Sequence, residues 1–417
     1  MRVCIHRGTH EIGGTCVEIE AQGKRIVLDI GLPLDGESDR APLPPVPGFK
    51  KPDESLLGVI ISHPHQDHYG LAGRLPQATQ FLMGAAAHRI LEAARPFLRK
   101  GVEFRHVTHL ENRRPITVGP FRLTPYLVDH SAYDSYGILV EADGRRLFYS
   151  GDFRAHGYKG RFFESLLKNP PRGIDVLLME GTTLGRNRPE ENCFTEAQLV
   201  DKMAALIRAA PGLVLMCCSG QNIDRIVTVF KATRRARRQF IMDGYTAHIC
   251  RATGNQNIPQ PDWDGVRVFW PRNLRVRIKK TRQFALVNDL PGKRIFPKDL
   301  PVAAPSSVML FRDSMIPDFR GKAAASLEGA ILIYSLWPGY LEKESTKRLR
   351  AWLKRCGIPM YKVHTSGHAP VVDLKRLVDA LAPRALVPVH SFAPDLFANL
   401  FSNVAAKTDG QWWEVKQ

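Results

Sequence analysis

Short apolar runs broken by turn residues fill the first 180 positions of the 417-residue chain, a pattern of strands rather than helices. Cys16-Val17-Glu18-Ile19-Glu20 and Arg25-Ile26-Val27-Leu28-Asp29 flank Ala21-Gln22-Gly23-Lys24, which predicts a hairpin. Val59-Ile60-Ile61-Ser62 reads as a short buried strand. Phe121 to Val128, Gly137 to Glu141 and Arg146 to Tyr149 continue the series, with Ala142-Asp143-Gly144 as a turn. The character changes after about Glu180. Thr195 to Ala210 has helical spacing with Thr195 as N-cap. Leu213 to Cys218 is an apolar run followed by Ser219-Gly220 and a helix from Ile223, the order of an α/β unit with a parallel sheet. A strand at Ile331 to Ser335, a helix near Glu342 to Lys354 and strand-like pieces at Met360 to Val363 and Ala385 to Val389 complete the chain. The simplest organisation is a split domain interrupted by an α/β unit.

Composition changes this picture in one respect. Hydrophobic residues at 44% and charged residues at 24% are ordinary for a globular chain and exclude a disordered or fibrous one. The net charge of +18 points to a polyanionic partner, nucleic acid or an acidic membrane surface. Residues 186–355 hold 30 basic and 15 acidic side chains, and the remainder 29 and 26, so nearly all the excess sits in the middle. The N-terminus lacks the apolar stretch of a secretory leader, and no apolar run has the length of a membrane span. Seven cysteines without Cys-x-x-Cys spacing read as reduced residues of a cytoplasmic protein. Pro42 to Pro52 reads as a loop.

The chemistry concentrates in His63-Pro64-His65-Gln66-Asp67-His68, directly after a predicted buried strand. Four ligand-type side chains in six residues of loop can converge on one point. Imidazole suits zinc, and a carboxylate offsets cationic charge and can bind a second ion. His130 in Val128-Asp129-His130-Ser131, Asp152 in Ser150-Gly151-Asp152-Phe153 and His390 in Val387-Pro388-Val389-His390 stand at strand ends. Each alone would more often be a turn residue or a satisfied core histidine; together they supply ligands for a two-metal hydrolytic site.

These motifs resemble the metallo-β-lactamase superfamily and, within it, the β-CASP nucleases. The resemblance implies an α/β fold: a metallo-β-lactamase αββα sandwich in residues 1–184 and 356–417, with an inserted basic β-CASP domain in 185–355. It implies that Asp29, in Leu28-Asp29-Ile30-Gly31, orients metal ligands from behind. His63, His65 and His130 would hold one zinc, and Asp67, His68 and His390 the other, with Asp152 bridging. The cofactor implied is two Zn2+, with Mn2+ as an alternative. Glu180 in Met179-Glu180-Gly181-Thr182-Thr183, His368 in His364-Thr365-Ser366-Gly367-His368-Ala369, and His390 are similar to the three β-CASP motifs. Cys218-Ser219-Gly220-Gln221-Asn222-Ile223-Asp224-Arg225 and the Thr-Ser-Gly-His-Ala run resemble ribonuclease J. By this resemblance Asp67, His368 and Glu180 are catalytic, His368 as general acid with Glu180 orienting it. Ser366, Gly367, Ser219, Asn222 and Arg225 would face phosphate or RNA.

The function implied is a zinc-dependent nuclease that cuts single-stranded RNA with a metal-activated hydroxide, 5′-to-3′ or internally. A DNA nuclease of the Artemis-like branch, a non-catalytic RNA-binding scaffold and a small-ester hydrolase are the alternatives. His390 favours RNA over the Artemis-like branch, and the intact ligand set disfavours a scaffold. The expected partner is single-stranded nucleic acid, RNA favoured, and no membrane; a homo-oligomer is compatible with the sequence. Lys231 to Arg238 puts positive charge around a helix, and Arg272 to Arg282 alternates partly as on a strand face. Phe269, Trp270, Phe311 and Trp337 are read as core in preference to base-stacking positions. The Glu180 motif carries Gly181-Thr182-Thr183 after the acidic residue where Ser-Thr is usual in the family it resembles. Only 27 residues follow His390, so the C-terminal domain of bacterial ribonuclease J is expected to be missing, as is an N-terminal RNA-binding domain.

Overall fold

A computed structural model describes residues 1–34, 41–185 and 193–416. The start of the basic segment at Arg186 lies outside the described residues. The chain divides into two compact units, Met1–Cys193 with Gly367–Gln417, and Phe194–Ser366. The first unit is built on two sheets. One contains β1 (Arg2–Arg7), β2 (Cys16–Ala21), β3 (Lys24–Leu28), β4 (Leu56–Ile60), β5 (Gln80–Gly84) and β6 (His106–Leu110) in sequential order. The other contains β7 (Ile116–Val118), β8 (Phe121–Val128), β9 (Ser135–Ala142), β10 (Arg145–Tyr149) and β11 (Val176–Glu180). The predicted hairpin joins β2 to β3, and Gln22 and Gly23 at its tip both have positive φ, as a two-residue turn between right-twisted strands requires.

Alternation along these strands builds the layers. Ile5, Val17, Ile19, Ile26, Leu28 and Ile60 face Phe121, Ile138, Val140, Leu147 and Leu178 in a shared core between the sheets. Each such side chain contributes roughly 1.5–3 kcal/mol by leaving water. The opposite face of the first sheet is covered around helix Ala85–Ala94, through Leu91. That of the second is covered by helices Gly160–Lys168 and Val371–Leu381, through Phe163, Leu374 and Leu377. The result is an αββα sandwich.

The second unit carries a seven-stranded sheet in which every neighbouring pair is parallel. Its strands are β12 (Val214–Cys217), β13 (Gln239–Asp243), β14 (Val266–Phe269), β15 (Lys293–Ile295), β16 (Ser307–Leu310), β17 (Ile331–Tyr334) and β18 (Met360–Lys362), in the order β15-β14-β13-β16-β12-β17-β18. Strands β12, β16 and β17 are buried throughout, which is why their sequences are continuous apolar runs. Thr195 closes a capping box with Gln198 at the head of helix Glu196–Ala209. The first unit then resumes with β19 (Ala385–Val389), which joins the second sheet beside β11, and β20 (Trp412–Glu414), beside β1.

Two sequence expectations differ from this arrangement. Residues 356–366 were read as the return segment, but β18 pairs with β17 and so stays with the second unit. Arg272–Thr281 is a helix, not a strand face. The Asp318 carboxylate accepts the Arg272 backbone N–H at 2.8 and 3.1 Å and caps that helix from a distant part of the chain. Phe269, Trp270 and Phe311 are buried, whereas Trp337 is exposed.

Candidate metal centre

The ligand-type residues leave the ends of neighbouring strands in the first unit. After β4, Ile61 donates its N–H to Leu82 and Ser62 accepts one from Tyr136, so the chain is held to both sheets as it enters the histidine loop. Helix Gln66–Tyr69 then carries Asp67 and His68. Gly31 makes this approach feasible, because a Cβ there would lie 1.7 Å from the Asp67 carbonyl oxygen. His130 follows β8, and Asp152 follows β10 after Gly151, whose φ of +54° favours glycine. The parallel pairing of β11 with β19 sets Glu180 opposite Val389, bringing Glu180 and His390 to adjacent strand ends.

The predicted ligands converge as two groups. His63, His65 and His130 form one, and Asp67, His68, Asp152 and His390 the other, with the candidate ligand atoms of each within 4.8 Å of one another. Asp152 Oδ2 lies 3.2 Å from His68 Nε2 and 3.7 Å from both His63 Nε2 and His390 Nε2, between the two groups. His130, Asp152 and His368 make a third overlapping set, a role for His368 that sequence reasoning did not anticipate.

Buried polar atoms without hydrogen bonds test whether a metal fits. His63 Nε2, His68 Nε2, His130 Nδ1, His390 Nε2 and both Asp152 oxygens are buried and meet no hydrogen-bond partner among the described residues. An uncompensated buried polar atom costs about 1–3 kcal/mol, so the two Asp152 oxygens with the Nε2 atoms of His63, His68 and His390 around them amount to a standing demand for a cation. The donor set of imidazoles and carboxylates suits a divalent metal.

Behind the ligands, Asp29 is fully buried and saturated. Its Oδ1 accepts from Ser62 N at 2.7 Å, and its Oδ2 from Ser62 Oγ at 2.8 Å and Tyr149 Oη at 2.7 Å. The same Oδ2 meets His68 Nδ1 at 2.7 Å, which turns Nε2 toward the cluster. His390 is oriented in the same way, with Nδ1 2.8 Å from Thr15 Oγ1 and 3.3 Å from Gly13 N. Thr15, Ser62 and Tyr149 carry no motif, and the sequence does not mark them.

Burial pushes the His63, His130 and His390 imidazoles below their ordinary range, and His65 down to about 4, so these rings stay neutral and keep a lone pair for a cation. His68 behaves oppositely: burial disfavours its charge, but Asp152 and Asp29 outweigh that and hold its proton well above the usual range. Asp152 is held well below the usual carboxylate range, because His390 and His68 overcome the effect of burial.

At the edge of this cluster His368 is partly exposed, with Nδ1 3.0 Å from Glu180 Oε2. Glu180 is itself fixed by the N–H groups of Phe153 at 2.9 Å and Thr182 at 3.4 Å. Gly367 lies against Ser131, where a Cβ would come within 2.7 Å of the hydroxyl.

The residues expected to face RNA in the second unit have other places. Arg225 is fully buried: Nε and Nη2 donate to Glu196 at 3.1 Å, Nη1 to the Ser335 carbonyl at 2.8 Å, and Nη2 to the Thr365 carbonyl at 3.2 Å. With its donors turned inward it is a structural pillar, not an RNA contact. Asn222 caps helix Ile223–Arg235 by accepting the Arg225 N–H. Ser219 is exposed beside it, and Ser366 is half-buried where the second unit ends.

Comparison with known proteins bears on the sequence and the fold. Residues 24–216 match the family model described as a beta-lactamase superfamily domain. Curated ribonuclease J proteins are similar: that of Mycoplasma genitalium is 21% identical over 92% of this chain and 66% of its own length. That of Helicobacter pylori is 22% identical over 92% and 55%, and that of Sinorhizobium meliloti 24% over 86% and 61%. The chain thus spans between about half and two thirds of these relatives. A solved protein of unknown function from Enterococcus faecalis shares the fold, with a TM-score of 0.78, 18% identity and 99% coverage of both chains. The first unit thus carries a candidate divalent-metal centre on an αββα sandwich, and residues 24–216 are similar to the beta-lactamase superfamily domain. In sequence the chain is similar to ribonuclease J proteins.

Proposed function

We propose that this chain is a metal-dependent ribonuclease acting on single-stranded RNA, with two Zn2+ or Mn2+ ions as its cofactors. The observation that carries the reading is the set of unpaired, buried candidate ligand atoms at Asp152: its two oxygens and the Nε2 atoms of His63, His68 and His390. Similarity to ribonuclease J proteins supports the substrate class. His63, His65 and His130 would hold one ion and Asp67, His68 and His390 the other, with Asp152 between them. Ions held there supply polarisation of a phosphoryl oxygen and activation of water.

The remaining groups act around that centre. Asp29 and Thr15 aim His68 and His390, so the ligand geometry is set before a substrate arrives. Glu180 accepts the Nδ1 proton of His368, which fixes the ring; as the imidazolium, His368 would then give its second proton, on Nε2, to the departing ribose oxygen and be left neutral. Gly367 gives the chain room beside Ser131 at the same edge. The basic side chains of the second unit supply charge for phosphate contacts with little sequence preference.

The test is an end-labelling assay with Zn2+- or Mn2+-loaded protein, 5′-phosphorylated RNA and matched DNA. The proposal expects RNA to be cut to 5′-phosphate products; label released first from the 5′ end would establish 5′-to-3′ action, and internal fragments an endonuclease. Equal hydrolysis of the DNA would overturn the RNA preference.

A further inference from the structure

Between Thr346 and Val372 the chain carries six Lys and Arg residues and no Asp or Glu. Five of the six lie on helix Lys347–Arg355, which joins β17 to β18. One side of that helix is fixed. Leu349, Trp352 and Leu353 are buried in the core of the second unit, where the Trp352 ring stacks on Phe311 with centroids 5.4 Å apart. The other side holds Lys347, Arg348, Arg350, Lys354 and Arg355, all exposed. Lys347 pairs with Glu344, but Arg348, Arg350, Lys354 and Arg355 form no ion pair among the described residues.

This arrangement works against the helix itself. Arg350 stands three residues after Lys347 and four before Lys354, spacings at which like charges repel. Lys347 and Arg348 occupy the first turn, where the helix dipole disfavours cations and no acidic residue offsets them. Thr346 does not cap the free N–H groups there, because its hydroxyl donates back to the carbonyls of Tyr340, Leu341 and Lys343. Elsewhere in the second unit cations have partners: Arg235 pairs with Asp201, Arg275 with Asp318, and Arg238 donates to the Ala210 and Gly212 carbonyls. A rigid, self-repelling cationic face that folding does not use has its complement outside the molecule, and that complement is a polyanion.

We infer that the exposed face of helix Lys347–Arg355 is a docking surface for the phosphate backbone of single-stranded RNA. The choice of polyanion rests on the ribonuclease reading above. The contacts are to phosphates, carry no sequence preference and require neither metal nor hydrolysis.

The test pairs RNA affinity with stability in the intact chain. Binding of a labelled single-stranded RNA is measured in chelator from 50 to 200 mM salt, for the wild type and for Arg348→Glu with Arg350→Glu. The double variant should bind at least tenfold more weakly at 50 mM salt, and its slope of log affinity against log salt should be shallower by about 1.4. It should melt no lower than the wild type, because a carboxylate in the first turn suits the dipole and one placed four residues before Lys354 attracts it. Affinity and stability then move in opposite directions, which a structural role for the arginines would not produce. Unchanged affinity and slope overturn the inference, as does weaker binding that comes with a lower melting temperature. Arginine-dependent binding to phosphatidylserine vesicles, with RNA binding unaffected, also overturns it and assigns the face to a membrane surface. Unaffected RNA binding in the variant with hydrolysis intact overturns this inference alone; arginine-dependent RNA binding by a wild type that hydrolyses no RNA overturns only the proposed function.

Discussion

At the scale of single residues, orientation from behind the ligands governs the site. Asp29 joins Ser62, Tyr149 and His68 in one buried node, so its loss misaims a ligand rather than removing one. Asp29→Asn is expected to lower Zn2+ affinity about 10- to 100-fold, read by competitive metal titration. Unchanged affinity would deny Asp29 its orienting role. Gly31→Ala should have a comparable effect by a different route, since the new methyl collides with the Asp67 carbonyl. Its signature is loss of about half the bound metal with the second site retained. The candidate ligands, whose convergence the fold shows, were legible in the sequence, because histidine and carboxylate crowded after a buried strand have few other uses. The orienting Thr15 was not. A threonine after two glycines reads as a turn, and only the fold brings it 2.8 Å from His390, 375 positions away.

Elements show where charge is structural and where it is free. Arg225 and Glu196 are both fully buried and tie helix Ile223–Arg235 to helix Glu196–Ala209. Arg225→Met should therefore destabilise the second unit by about 3–5 kcal/mol, with much of that recovered in Arg225→Met with Glu196→Leu. Chemical denaturation of the three proteins measures it. A fully stable single variant would show that the pair is dispensable. Helix Arg272–Thr281 is the opposite case: it buries only Ile278, and Lys279 and Lys280 are exposed. Removing both lysines should reduce the slope of log affinity for single-stranded RNA against log salt by about 1.4, with stability unchanged. A slope that does not move would take this helix out of the RNA-binding surface. The strand reading of this segment failed because alternating Arg275, Arg277 and Lys279 fit a strand face as well as a polar helix. The deciding cap, Asp318, is 46 residues from Arg272 and invisible to local pattern.

For the whole molecule, the charge has a clear distribution: +15 of the net +18 falls in residues 186–355 and +3 in the rest, which includes the metal centre. The first unit gathers Asp29, Asp67, Asp152 and Glu180 at the histidine cluster, and the second carries most of the excess basic side chains. No helix among the described residues is long and apolar enough to cross a membrane. The histidine–carboxylate cluster is proposed to hydrolyse RNA through bound metal. Its most direct test is the rate at which chelator-stripped protein, titrated with Zn2+ or Mn2+, cuts end-labelled 5′-phosphorylated RNA, beside an Asp67→Ala, His68→Ala variant. Activity should return as two equivalents of metal bind and fall at least a thousandfold, on the order of 4 kcal/mol in the barrier, in the variant. Cleavage without metal, or equal cleavage by the variant, would contradict it.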